Sequence, residues 1–350
     1  MTYRVVQWAT GGVGKSAIAA IARHPELELV GCWVHSADKD GRDVGELLGG
    51  EPMGVVATTD AAALCELEAD CVVYSPLLPD KQQVLALLRS GKNVVTPMGW
   101  FRPTDRDADL ALAAREAGVT LHGTGIGPGG ITDLFPLALS VMTSAVTFVR
   151  AEEFSDMRDY EAPDVLRHIM RFGATPEHAR SGPMLKILGG GFIQSLRLIL
   201  DGMGFDTDAE IVTTHEVAVA TAGIDSPIGI IEPGEVAAQR FQWDAVIGGV
   251  AVARIAVNWL MGEENLDPPW TLGSAGERYE VAVEGSPSAL MTFTGFNSGT
   301  PGETTPGIVA TANHLVNSIP YVCRAEPGIE TYLDLPLMTG RAHPDFATRK

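Results

Sequence analysis

The sequence predicts an α/β protein: a parallel sheet covered on both faces by helices, followed by an α+β domain with a largely antiparallel or mixed sheet. Two observations carry this. From residue 3 to about 140, continuous apolar runs alternate with runs of helical period, the pattern of strands buried on both faces. Beyond Ser144 the runs lengthen and most alternate with a period of two, which marks antiparallel strands.

The first strand is "YRVVQWA" (3–9), and "KSAIAAIARH" after it carries Ala17, Ile18, Ile21 and Ala22 on one helical stripe. "LELVGCWVH" and "GVVAT" read as the second and third strands, the latter before a helix that Asp60 can cap. "DCVVYS" is the fourth. Asp80 then opens "KQQVLALLRSG", with Gly91 in the stop position. "KNVVT" is the fifth strand, and Thr104 with Asp107 forms a capping-box pattern for the next helix. "VTLHGTG" is the sixth, and "ITDLFPLALSVM" the helix that follows it.

In the second half, "AVTFVRAEEF", "AEIVTTHEVAVA", "EVAAQRFQWDAVI", "VAVARIAVNWL", "RYEVAVEG" and "SALMTFTGF" read as strands. Gly248-Gly249 joins two of them as a hairpin. Helices are expected at "APDVLRHIMRFG", "MLKILGGGFIQSLRLILDGMG" and "TPGIVATANHLVNSI". The triple glycine of "LGGGF" (188–192) reads as a helix break rather than an anion-binding nest. These runs divide the chain into 1–143, to which 306–350 returns, and 144–305. "FNSGTPGETTPG" (296–307) is the best linker.

Composition narrows the partners. A net charge of -19 over 350 residues argues against nucleic acid, which demands clustered Lys and Arg, and against an anionic membrane surface. The longest apolar run, 245–253, is too short to span a bilayer. The four cysteines show no C-x-x-C pair and no zinc spacing, and the eight histidines include no H-E-x-x-H. No metal is expected. No signal peptide fits the amino end, so a reduced, cytoplasmic setting is the expectation.

The turn within "VVQWATGGVGKSAIAAIA" (5–22) fits two phosphate-binding templates, and in each Ala9 stands where glycine comes first. A nucleoside-triphosphate loop would use Lys15 and Ser16, but it also needs a strand ending in an acid that holds magnesium. The strands here end in Ser36, Ser75 and Thr96. A Rossmann-type dinucleotide turn asks instead for a ribose-binding residue at the end of the second strand. An acid there would select NAD, whereas this chain offers Ser36, Lys39 and Arg42, a hydroxyl and two cations suited to a 2'-phosphate. The expected cofactor is NADP, with NAD the lesser choice. Thr10, Gly11, Gly12 and Val13 would cradle the pyrophosphate, with Ser75 and Thr96 at neighbouring strand ends. Ala9 is tolerable there if its φ stays negative.

"VVQWATGGVGKSAI", "HGTGIGPGGITDLFPLAL" and "TANHLVNSIPYVCRAEPGIETYLDLPLMTG" resemble a dihydrodipicolinate-reductase-like family that includes 2,4-diaminopentanoate dehydrogenase and the native amine dehydrogenases. The resemblance implies an NAD(P)-dependent oxidoreductase, often a homodimer paired through second-domain sheets. It also implies a final helix that returns to the first domain and brings Asn317 toward the cofactor. Two departures matter. The His-His-Arg run of true dihydrodipicolinate reductases is missing, which argues against lysine biosynthesis. The glutamate that such amine dehydrogenases carry after the fifth strand is replaced by "VVTPMGWFRP", which has no carboxylate.

Reductive amination of a small apolar ketone or aldehyde by ammonia, reversible as amine oxidation, is the most concrete expected reaction. It needs a carboxyl to steady the cation and move protons. Glu152 is the leading substitute, because strand phase aligns it with Val146, Phe148 and Phe154; Glu153 and Asp156 rank lower. Met98, Trp100 and Phe101 stand at the carboxyl end of the fifth strand, where open parallel sheets bind ligands, and are candidates for an apolar substrate wall. Pro128 stiffens the glycine-rich loop after the sixth strand. Asp133 is expected to cap the next helix. Ammonia-independent reduction of an imine or carbonyl, and non-catalytic NADP(H) binding, are the alternatives.

Overall fold

The computed structural model describes residues 2–160, 162–295, 305–342 and 344–346. The chain divides into two compact units, Met1–Gly130 with Pro306–Lys350, and Ile131–Thr305. Along the first stretch run β1 (Tyr3–Trp8), α1 (Gly12–Arg23), β2 (Leu27–Trp33), α2 (Val44–Leu47), β3 (Ala57–Thr58), α3 (Ala61–Glu66), β4 (Cys71–Tyr74), α4 (Lys81–Arg89), β5 (Asn93–Thr96), α5 (Ala108–Ala117) and β6 (Thr120–Gly123). The second unit holds α6 (Phe135–Ser140), β7 (Ser144–Asp156), α7 (Pro176–Arg180), α8 (Met184–Met203), β8 (Glu210–Ala220), β9 (Val236–Ile247), β10 (Val250–Leu260), β11 (Leu266–Asp267), β12 (Arg278–Ser286) and β13 (Ala289–Phe293). The chain then adds α9 (Pro306–Val322) and β14 (Gly328–Ile329) to the first unit.

The first unit is a Rossmann-type sheet in the order β14-β6-β5-β4-β1-β2-β3, with every pair parallel. Adjacent strand residues point to opposite faces, so Val5, Val73 and Val95 pack under α1 and α9 with Ile18, Ile21, Leu315 and Ile319. Val6, Val72 and Val94 pack on the other face with Leu87, Leu88, Leu110 and Ala114 of α4 and α5. The helices start where short acceptors meet free backbone N–H groups. Asp60 accepts from Ala62 and Ala63, and Asp80 from Gln82 and Gln83. Thr104 and Asp107 form a reciprocal capping box, and α5 stops at Gly118 in the left-handed region.

The second unit carries a mixed sheet in the order β11-β8-β9-β10-β7-β12-β13. Only β10 and β7 run parallel; the other pairs are antiparallel. Gly248 and Gly249 both take positive φ and close the β9–β10 hairpin. The first unit ends at Gly130 rather than at residue 143, because α6 packs against β7, β12 and α8. The segment 296–304, which holds most of the expected linker, lies outside the described residues.

The triple glycine does not break its helix: α8 runs through 188–192 without interruption. Gly189 is there for packing. A Cβ on it would stand 2.9 Å from Trp243 Nε1, and Phe192 from the same helix face meets that indole at 5.1 Å between ring centroids. Among the described residues, Pro176–Met203 is the one segment long and apolar enough to cross a membrane. Its helix α8 packs on β9 and β10, so the apolar stripe is used within the unit.

Ala9 takes φ +77°, not the negative value that would make an alanine comfortable. The left-handed region costs a residue with a Cβ roughly 1–2 kcal/mol. Ala9→Gly is therefore expected to raise unfolding stability by about 1 kcal/mol, read as a higher urea midpoint at unchanged slope. An unchanged or lower midpoint would mean that the strain is relieved elsewhere.

Candidate functional site

In the first unit, strand order reverses direction between β1 and β4, and open sheets of this kind bind ligands beyond the carboxyl ends of such strands. The chain leaves β1 through Ala9 and Thr10 and enters α1 with Gly11 as N-cap, a residue in extended geometry with no side-chain cap. Lys15 N–H is bonded to the Gly11 carbonyl, while the N–H groups of the first turn have no helical partner and point outward. No acid stands in that turn. A Cβ on Gly11 would meet nothing within 4 Å, so its outer side is open, whereas one on Gly14 would meet the Ala9 carbonyl oxygen at 2.1 Å. Val13 packs against the apolar cluster under α9. This arrangement fits the bridging diphosphate of a dinucleotide.

Gln7, which sequence reasoning passed over, holds the turn from below. Its wholly buried amide donates to the carbonyl oxygens of Trp8 and Ala9 at 3.2 and 2.9 Å and to Ser75 Oγ at 2.9 Å. Its one signal was a polar residue inside an apolar strand. Ser75 is thus engaged from one side, and its hydroxyl lies 3.4 Å from the Trp8 carbonyl. Thr96 is fully buried, and its hydroxyl accepts from Met98 N–H at 3.1 Å. Both hydroxyls hold turns.

Beyond β2, Ser36 stands at the N-cap position of the short turn Ala37–Lys39, with no side-chain cap bond. Lys39 reaches back so that Nζ donates to Thr10 Oγ1 at 3.2 Å, which brings two of the expected residues together. Arg42 is exposed. Two nearby acids are taken up by backbone. Asp40 accepts from Thr59 N–H at 2.7 Å. Asp43 accepts from Met53, Gly45 and Gly54, and those N–H groups, Met53 foremost, hold its carboxyl below the usual range. Ser36→Asp is expected to weaken NADPH binding at least about tenfold while NADH loses far less, since a carboxylate there repels a 2'-phosphate. Equal losses in paired titrations would remove Ser36 from that role.

Asn317 lies on α9 with its amide nitrogen 3.7 Å from where a Cβ on Gly340 would stand. The residue of α9 that reaches the first turn of α1 is Ile308, whose Cδ1 would be 3.2 Å from a Cβ on Gly12. Along the helix, Asn317 is about 13 Å farther on. Trp100, at φ +59°, packs against the buried cluster that includes Val94 and Leu121, and Phe101 is buried. They cover the sheet end, and Met98 beside them is only partly buried.

The loop after β6 is tied down by a relay within the first unit. His314 donates from Nδ1 to the Gly125 carbonyl at 2.9 Å, because a carbonyl can only accept. Its Nε2 then accepts from Tyr332 Oη at 3.3 Å, and Tyr332 also bonds Thr124. His122 donates to the Glu330 carbonyl at 2.7 Å, and burial pushes its pKa down to about 4. Pro128 is partly buried in this loop and follows a cis bond.

In the second unit Asp133 does not cap α6, whose N-cap is Leu134 with no side-chain cap. It is fully buried and accepts from the hydroxyls of Thr132 at 2.7 Å and Ser195 at 2.8 Å, which fastens the segment before α6 to α8. Glu152 lies on a face crossed by ion pairs. It pairs with Arg150 and accepts from Asn258 at 2.9 Å, and Arg150 also holds Glu280 at 2.8 Å. The aromatic residues that share its strand phase lie under cations: Arg254 is 5.8 Å from the Phe148 centroid and Arg278 is 3.8 Å from that of Phe154.

The neighbouring acid is placed differently. Glu153 shares its face with Phe241 and Trp259, and Phe241 stacks in turn beside Trp243, the indole that meets α8. Its Oε1 accepts from Trp259 Nε1 at 2.8 Å and from Ser155 Oγ at 2.9 Å. The Tyr279 hydroxyl shares a side-chain hydrogen bond with Ser155. Desolvation pushes the Glu153 carboxyl above its ordinary range, an effect opposed by its two neutral donors. Ranking Glu153 below Glu152 followed from assigning the covered face to the aromatic phase of β7.

Comparison with known proteins agrees with this architecture. Residues 131–344 match the 2,4-diaminopentanoate dehydrogenase C-terminal domain, and residues 5–96 match the dihydrodipicolinate reductase N-terminus. An amine dehydrogenase of Streptomyces virginiae is 29% identical over 350 residues, 95% of this chain and 96% of that one. The 2,4-diaminopentanoate dehydrogenase of Acetoanaerobium sticklandii is 26% identical over 258 residues, 73% and 68% of the two chains. An amine dehydrogenase structure from Mycobacterium smegmatis superposes with a TM-score of 0.72 at 23% identity, covering 97% and 98%.

Proposed function

The chain belongs to the family of the 2,4-diaminopentanoate dehydrogenase C-terminal domain, and from that premise we propose an NADP-dependent oxidoreductase that reductively aminates a small apolar ketone or aldehyde with ammonia. The reverse direction is amine oxidation. The observation that carries the cofactor half is the amino end of α1, free of acids and open at Gly11, with Lys39 hydrogen-bonded to Thr10. The names of the relatives support amine chemistry. NADPH would supply the hydride. Thr10, Gly11, Gly12 and Val13 would bind its diphosphate through backbone, and Ser36, Lys39 and Arg42 its 2'-phosphate. A second reading, reduction of a carbonyl or preformed imine without ammonia, is favoured by the absence of any carboxylate in the segment from Met98 to Phe101.

We further propose a cytoplasmic homodimer joined through the second-unit sheet. The face of Glu152 supports it, because Phe148 and Phe154 lie among its arginines, and arginine and aromatic residues are enriched at interfaces. Sedimentation at two protein concentrations tests that pairing. The reaction is tested by following NADPH oxidation with a panel of small ketones and aldehydes, with and without ammonium. Consumption that requires ammonium is expected. Consumption indifferent to ammonium would favour the second reading, and tight binding without oxidation of any substrate would leave a non-catalytic cofactor-binding protein.

A further inference from the structure

Glu153 is a partly buried carboxyl whose partners are all neutral. Both donors, Trp259 Nε1 and Ser155 Oγ, meet the same oxygen, Oε1. Among the described residues Oε2 accepts no hydrogen bond, and it is not sealed from solvent. No lysine, arginine or histidine pairs with Glu153 among those residues, although Glu152, next in sequence, has Arg150. The titratable groups facing it are Tyr279 of β12, Glu277 just before that strand and Tyr160 beyond the end of β7, and none brings positive charge. A desolvated carboxylate in such company must either take up a proton or receive a cation from outside.

We propose that Glu153 Oε2 is the seat of the substrate's primary ammonium group, a substrate class that rests on the amine chemistry proposed above. The surroundings select this cation. A hard metal ion asks for six or more oxygen ligands, and among the described residues no cluster of metal-binding side chains exists. An alkylammonium needs one strong acceptor for its head and apolar or aromatic surface for its tail. The carboxyl has an aromatic neighbour in Trp259, whose indole donates to it, with the buried Phe241 set edge-on behind that indole at 5.6 Å. Once seated, the ammonium can pass one proton to Oε2. One N–H bond breaks and one O–H bond forms, leaving a neutral amine beside a neutral acid, with no other bond changed. The raised proton affinity of Glu153, caused by its burial, matches that step.

Calorimetric titration with n-butylammonium chloride tests the site without turnover. The wild-type protein is expected to bind it, more weakly as pH falls and Glu153 takes up a proton. Glu153→Gln, which keeps the shape and removes the charge, is expected to lose affinity at least about tenfold. Absence of binding to the wild type, or equal binding by Glu153→Gln, would overturn the assignment. Ser155→Ala gives an independent check. It removes a donor to the carboxylate, so the pH below which binding is lost should move upward, and an unmoved midpoint counts against the site. If butylammonium binds and Glu153→Gln loses it, but no amine is oxidised by the wild type with NADP, the reaction reading fails while the ammonium site stands.

Discussion

Gly14→Ala is expected to lower NADPH affinity by about a hundredfold and to destabilise the first unit by about 1–3 kcal/mol. The cause is backbone against backbone. A Cβ at residue 14 would stand 2.1 Å from the Ala9 carbonyl oxygen, which is backbone, and 3.1 Å from Gln7 Nε2, a side chain held in place by its bonds to Trp8, Ala9 and Ser75. Relief requires α1 to move about an ångström from the turn, which spoils the aim of its free N–H groups and breaks the Gln7 contact with Ala9. Equilibrium titration of NADPH by fluorescence, together with urea denaturation, reads both effects. An alanine variant with wild-type affinity would show that the first turn of α1 does not hold the cofactor.

Asp133→Ala is expected to cost about 3 kcal/mol of unfolding free energy. The carboxyl is fully buried and accepts from Thr132 and Ser195, so its removal deprives two buried hydroxyls of their strongest acceptor. These hydroxyls also lie 3.1 Å from each other, which leaves them a weaker pairing and sets the loss below that of two orphaned groups. Asp133→Asn keeps an acceptor oxygen and should fall between the wild type and the alanine variant. Urea denaturation measures the series. An alanine variant as stable as the wild type would mean that this triad does not anchor α8 to the segment before α6.

The parallel sheet was legible because its strands are buried on both faces and so read as unbroken apolar runs. The starts of α3, α4 and α5 were legible because Asp60, Asp80 and the Thr104–Asp107 pair act within a few residues of themselves. What lay beyond reach depended on partners far away in sequence. Gly189 reads as a helix breaker until Trp243 is set against it. The two-residue strands β11 and β14 are too short to show a period.

The site followed the same division. Lys39 and Thr10 were each singled out on the sequence, but the hydrogen bond between them shows only in the fold. Ala9 would be comfortable only at negative φ, a condition the sequence states but cannot decide, and the turn imposes +77°. Strand phase placed Glu152 and Glu153 on opposite faces. It could not say which face the helices cover, and that is settled by residues such as Phe192 and Gly189 of α8 packing on Trp243.

The most direct measurement is a calorimetric competition at the glycine turn, with NADPH titrated into the protein in the presence and absence of ATP and magnesium. The expected result is one saturable NADPH site per chain that ATP with magnesium does not displace, and that Gly14→Ala weakens. Displacement of NADPH by ATP with magnesium, or no binding of NADPH at all, would contradict the assignment of this turn to a dinucleotide and the reaction built upon it.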